Sequence, residues 1–148
     1  MRAWALAALV LLFWVAACGG GAPADGPPEV RYGEDVCDEC HMIINDARFA
    51  AAYRTVGGDV RRFDDIGDMV VYYIRTGEEV AAFWVHDYGT KAWVRAEEAV
   101  FVRSPSVQTP MGHGFVAFAG RDDAETFVAQ HGGEVMGFEE LLKVYGGR

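Results

Sequence analysis

Cys37, Cys40 and Met42 put three sulfur side chains within six consecutive positions of the run Val36-Cys37-Asp38-Glu39-Cys40-His41-Met42-Ile43-Ile44. If the segment is extended, residues i and i+2 project to one face with Cα atoms roughly 6.6 Å apart. Cys40 and Met42 then face one way and His41 the other. Cys37 joins them if Asp38-Glu39 makes a turn. Thiolate with thioether is a soft donor set, suited to Cu(I) and unsuited to Mg²⁺ or Ca²⁺. Other chemistry fits the same cysteines: a dithiol redox pair, a small disulfide loop, or a zinc site, for which thioether is a poor ligand. A disulfide closing so short a loop would add little stability.

A second sulfur lies far along the chain in Thr109-Pro110-Met111-Gly112-His113-Gly114. Proline and two glycines make this a loop between strands. Met111 is therefore expected either as a thioether ligand or as a plug beneath the loop. His113 is a further ligand candidate, or simply a polar loop residue. The remaining candidates read as structural. Met69 and Met136 fit core positions, and Trp84 and Trp93 read as core aromatics. His86 should be hydrogen-bonded at a strand end, and His131 should sit at a helix C-terminus. Asp64-Asp65 and Asp122-Asp123 read as helix caps. No Ser/His/Asp arrangement or phosphate loop stands out.

These side chains must be positioned by a modest fold. The chain has 148 residues, 51% of them hydrophobic and 13% aromatic, enough for one domain with its own core. Arg2 precedes an apolar run from Ala3 to Ala17 that ends Val15-Ala16-Ala17-Cys18 before Gly19-Gly20-Gly21. The run is short for a bilayer span and fits a secretory signal of the lipoprotein type. The expected organisation is a signal peptide over 1–17, a lipidated Cys18 with a flexible Gly/Pro-rich linker over 18–30, and a folded domain over 31–148. Cleavage before Cys18 would take Arg2 with it and shift the net charge from −9 to −10. That acidity argues against nucleic acid as a partner. An exported protein sees an oxidising compartment, where a cysteine pair too close to staple distant segments has a chemical use.

Within the domain, strands are expected at 49–55 and 60–63 around Gly57-Gly58, then a helix over 66–75 ended by Gly77 and a strand at 81–86. Strands at 99–103 and 115–119, a helix through about 130, a strand at 134–136 and a final helix over 138–145 complete it. Each half reads strand–strand–helix–strand. The fold class is α+β: two similar ββαβ-type units with mainly antiparallel sheet, behind a flexible, lipid-anchored tether.

These residues resemble a known family. The lipobox, Cys40-His41-Met42 and Phe63-Asp64-Asp65-Ile66-Gly67-Asp68-Met69 are similar to the NosL family, the copper accessory lipoproteins of nitrous oxide reductase. So are His86-Asp87-Tyr88, Trp93-Val94, Ala96-Glu97-Glu98-Ala99 and Thr109-Pro110-Met111-Gly112. The resemblance implies a Cu(I) metallochaperone and no enzyme. It would be anchored through Cys18 to a bacterial membrane, facing the periplasm or cell exterior. It would deliver copper to an ABC-type maturation complex or to nitrous oxide reductase. Cys40 and Met42 match the family's metal-binding pair and Met111 its Pro-Met-Gly loop. Cys37 is an additional thiol, able to strengthen Cu(I) binding or to let oxidation switch the site off. The rival from another class is a membrane-anchored thiol–disulfide oxidoreductase using Cys37 and Cys40.

Overall fold

The computed structural model of the protein describes residues 26–146. The expected signal peptide, Cys18 and the start of the linker lie outside the described residues.

Two ββαβ units follow one another. In the first, β1 (Ala51–Thr55) pairs antiparallel with β2 (Val60–Phe63) across the Gly57-Gly58 turn, where Gly58 takes the left-handed φ of 94° that glycine tolerates. Helix α1 (Ile66–Thr76) leads into β3 (Val80–His86), which pairs antiparallel with β1 from its other side. In the second, β5 (Val100–Arg103) pairs with β6 (Phe115–Phe118), helix α2 (Arg121–His131) follows, and β7 (Glu134–Met136) returns to the other side of β5. Each unit thus has its first strand in the middle, the same topology twice. The first sheet gains an edge strand, β4 (Trp93–Arg95), giving the order β2-β1-β3-β4, while the second is β6-β5-β7. The three-residue β4 was not foreseen. A final helix, α3 (Phe138–Gly146), packs back against α1.

The helix ends explain their own positions. The Asp65 carboxylate accepts from the Gly67 N–H at 2.8 Å and caps α1, and Gly77 ends it in a left-handed conformation with its N–H on the Tyr73 carbonyl. Ile66, Met69 and Val70 are the buried stripe between. At α2 the cap is Gly120, and Asp122 and Asp123 sit inside the first turn, where they favour the helix dipole instead of capping it.

The main core lies around Tyr53, whose ring meets Phe63, Tyr72, Tyr73 and Phe83. It continues to Phe101, Phe138 and Leu141. A smaller core under α2 holds Phe49, Val102, Val116, Phe118 and Phe127. Met69 and Met136 are core residues, as expected. Trp84 and Trp93 are only half-buried; Trp93 instead stacks on His86 at 3.7 Å between ring centroids. His86 is hydrogen-bonded as anticipated, between the Tyr32 hydroxyl and the Lys91 carbonyl.

The two units are stitched where β3 ends. Asp87 bridges Ala117 of β6 in parallel, Tyr88 donates its N–H to the Ala117 carbonyl at 2.8 Å, and the Ala119 N–H donates to the Asp87 carboxylate at 2.9 Å. This joint sets the loop between β5 and β6 beside the first turn of α1. None of the described helices is long and apolar enough to cross a membrane.

Candidate metal centre

The cysteines ride on a tight hairpin closed by an antiparallel bridge between Val36 and Ile43. The Cys37 N–H donates to the Met42 carbonyl at 2.8 Å and the His41 N–H to the Cys37 carbonyl at 3.0 Å. Asp38-Glu39 forms the expected turn. The residues after it do not run extended: His41 has φ of 63°, because the chain must reverse for Met42 to meet Cys37. The alternation argument that set Cys40 and Met42 on one face therefore does not apply here.

Two polar ties fix the hairpin to the first unit. Asp38 exchanges hydrogen bonds with Arg62 of β2, donating its N–H to the carbonyl at 2.8 Å and accepting the Arg62 N–H on its carboxylate at 2.7 Å. Glu39 pairs with Arg75 near the end of α1. The hairpin is thereby pressed over the junction of β2 and α1, and the cysteines face the acidic residues of that junction.

Cys37 is fully buried and Cys40 is partly accessible; both are free thiols. The Cys37 Sγ donates to Asp68 Oδ2 at 3.5 Å, the Cys40 Sγ to Asp64 Oδ1 at 3.3 Å, and the Cys40 N–H to the Cys37 sulfur at 3.4 Å. One donor atom from each of Cys37, Cys40, Asp64 and Asp68 falls within 4.8 Å of every other. Burial pushes the Cys37 thiol up to about 11. The Cys40 thiol is also raised, first by burial and then by Cys37, Asp64 and Asp68 around it. Both are therefore thiols at neutral pH, each donating toward a carboxylate.

The second loop closes on the same helix turn. Met111 donates its N–H to Asp65 Oδ2 at 3.0 Å, so one carboxylate both caps α1 and holds the loop. His113 Nε2 meets Asp68 Oδ1 at 2.9 Å, and its Nδ1 meets the Tyr145 hydroxyl of α3. The Asp68 carboxylate raises the His113 pKa, the largest influence on it. Gly67 makes room for this ring: a Cβ there would lie 2.1 Å from His113 Cγ.

The structure thus gathers Cys37 and Cys40, and joins His113 to Cys37 through the two oxygens of Asp68. Both His113 ring nitrogens are engaged, which gives it the geometry of a residue that orients Asp68 rather than one presenting a lone pair to a metal. Met42 and Met111 are about half-exposed, at 52% and 40%, on the hairpin and on the loop held by Asp65. Asp64 and Asp68 are the residues the sequence reading did not single out. Asp64 was assigned to capping, but only Asp65 caps. Asp64 precedes the extended N-cap Asp65 and Asp68 lies in the first turn of α1, so it is the hairpin packed over this junction, not a shared helical face, that sets both carboxylates against the cysteines.

A family model described as NosL matches residues 31–145. A protein from Stutzerimonas stutzeri described as copper-binding lipoprotein NosL is 27% identical over 148 residues, covering 92% of this chain and 78% of that protein. A crystal structure described as the copper chaperone NosL from Shewanella denitrificans superposes with a TM-score of 0.64. It is 24% identical and covers 77% of this chain and 96% of that one. That likeness bears out the α+β fold.

Proposed function

The chain belongs to the NosL family, and from that membership we propose that it is an extracytoplasmic Cu(I) metallochaperone. It hands its copper to the maturation of nitrous oxide reductase or of a similar copper enzyme. The observation that carries this reading is the pair of free, adjacent thiols at Cys37 and Cys40, one buried and one accessible, on a hairpin whose geometry is fixed from both sides. Thiolates are the preferred protein ligands of Cu(I), and thioethers favour Cu(I) over Cu(II). The name of the Stutzerimonas stutzeri relative, copper-binding lipoprotein, supports both the cargo and the anchor.

In this account copper is cargo. Cys40 receives the ion at the accessible side and Cys37 secures it from below, while Met42 and Met111 supply thioethers from the exposed hairpin and loop. Two or three soft ligands hold the ion and leave a direction open, through which an acceptor's ligand can attack. Copper then passes by ligand exchange without entering solution. Cys18, as a lipidated N-terminus, would keep the carrier at the membrane surface and raise its effective concentration at a membrane-bound acceptor such as an ABC-type complex.

The thiol–disulfide oxidoreductase reading gains nothing from the structure. An attacking cysteine needs a lowered pKa, and burial raises both of these. Anaerobic titration of the reduced protein with Cu(I) against a competing chelator tests the proposal. Stoichiometric binding is expected, lost in Cys40→Ser and weakened at least tenfold in Met42→Ala and Met111→Ala, which is about 1.4 kcal/mol each. Failure of the wild type to compete for Cu(I) ends the reading.

A further inference from the structure

The first sheet has two unlike faces. One meets α1 through Tyr53, Phe63 and Phe83, whose rings lie against Tyr72 and Tyr73. On the other, the pairing register lines up Arg62, Ala52, Trp84 and Arg95 straight across β2, β1, β3 and β4. Arg54 stands beside this row on β1, and the pair His86 and Trp93 flanks it on β3 and β4. No Asp or Glu occupies any of these positions, although the chain as a whole carries a net charge of −9. The Arg95 guanidinium lies over Trp84, 5.1 Å from the ring centroid. Arg54, Trp84, Trp93 and Arg95 are each half-buried. Arg54 Nε and Trp84 Nε1 are covered, yet neither finds an acceptor among the described residues. Such donors are costly to leave unserved.

The segment leading in from the N-terminus ends on this same face. Arg62 Nε donates to the Glu29 carbonyl at 2.8 Å, and the Tyr32 hydroxyl meets His86 Nε2 at 2.6 Å. Pro28 is buried. From Gly26 back to Cys18 is eight residues, a reach of at most roughly 28 Å.

We propose that this face is a membrane-facing surface that sets the orientation of the anchored protein. Trp84 and Trp93 settle at the level of the phospholipid headgroups, where indole rings are favoured, and Arg54 and Arg95 meet the phosphates. Phosphate and ester oxygens are the acceptors that this face lacks. The proposal rests on the Cys18 anchor of the proposed function. The anchor supplies the attachment, and the short tether holds the face at high local concentration against the bilayer, where weak contacts suffice to orient it. Helix α1 and the metal centre at its first turn lie across the sheet, so the copper site is turned away from the lipid, toward an acceptor.

The test places the lipidated mature chain in phosphatidylcholine vesicles with a minor share of phosphatidylglycerol, with and without brominated acyl chains. Removal of the signal peptide takes Trp4 and Trp14 with it, so only Trp84 and Trp93 emit. Emission in brominated vesicles should fall to about half of that in unbrominated ones. The double variant Arg54→Glu/Arg95→Glu should lose this quenching while vesicle flotation and Cu(I) affinity stay unchanged. The milder Arg54→Gln/Arg95→Gln, which should lose part of it, covers the case in which charge reversal unfolds the sheet. Equal emission in the two kinds of vesicle, the result if this face docks an acidic protein instead, overturns the inference. So does full quenching in both double variants. A chain that does not float with the vesicles fails the anchor and takes the inference with it, whereas failure to bind Cu(I) leaves the quenching result standing.

Discussion

Cys37 and Cys40 hold their protons tightly in the metal-free protein, and that decides how copper binding responds to pH. A thiol pushed up to about 11 is protonated throughout the neutral range, so a Cu(I) ion bound as proposed would displace its proton, and likewise the proton of Cys40. The affinity therefore rises with pH, by roughly 10- to 100-fold per unit for one to two displaced protons, and the share from Cys37 levels off only as the pH passes its raised pKa. Chelator competition at two neutral pH values measures this; an affinity independent of pH would mean that neither thiol gives up a proton on binding, and would contradict the account. At this scale the sequence was legible in its sulfur and opaque in its oxygen. Cysteine and methionine spacing announces soft-metal chemistry whatever the fold. An Asp before a helix reads as a cap, and only the descent of the hairpin onto α1 turns Asp64 and Asp68 toward sulfur. The left-handed backbone at His41 was likewise hidden, since nothing in Cys-His-Met requires the chain to reverse there.

At the scale of elements, the first turn of α1 is the frame of the site. Asp65 ties the cap to the Met111 loop, Asp68 ties the helix to Cys37 and His113, and Gly67 leaves the space in which the His113 ring sits. Gly67→Ala would normally favour a helix. Here the added methyl must expel His113, so the substitution should destabilise the protein by about 1 to 3 kcal/mol, read as a lower midpoint in chemical unfolding. An unchanged or higher midpoint would show that the loop is not packed against the helix. Most elements were readable because their punctuation is local: Gly57-Gly58 for the first hairpin, Asp65 and Gly77 for α1, Gly132-Gly133 after α2. The strand β4 was not, since Trp93-Val94-Arg95 is too short to show alternation and is held as an edge by pairing with His86, Val85 and Trp84.

Across the whole molecule, the duplicated topology places one site rather than two. The second unit repeats the strand order, but its helix is capped by Gly120 backbone without a side chain, and its contribution to the centre is the β5–β6 loop laid over the first unit. The repeat was legible as a pattern of elements; the joint at Asp87 and Ala117 that brings this loop to α1 was not, because no local signal marks a contact between units. A net charge of −9 disfavours anionic lipid surfaces, so on the proposed reading attachment would depend on Cys18. Cys18→Ser should move the protein from the membrane to the soluble fraction on cell fractionation; retention at the membrane would place the anchor elsewhere. The central claim is that this hairpin carries copper as Cu(I) on sulfur. Copper-edge X-ray absorption of the anaerobically loaded protein addresses it most directly. The account predicts an edge of monovalent copper with a shell of two or three sulfur donors, and a shell of oxygen or nitrogen, or an edge of Cu(II), would contradict it.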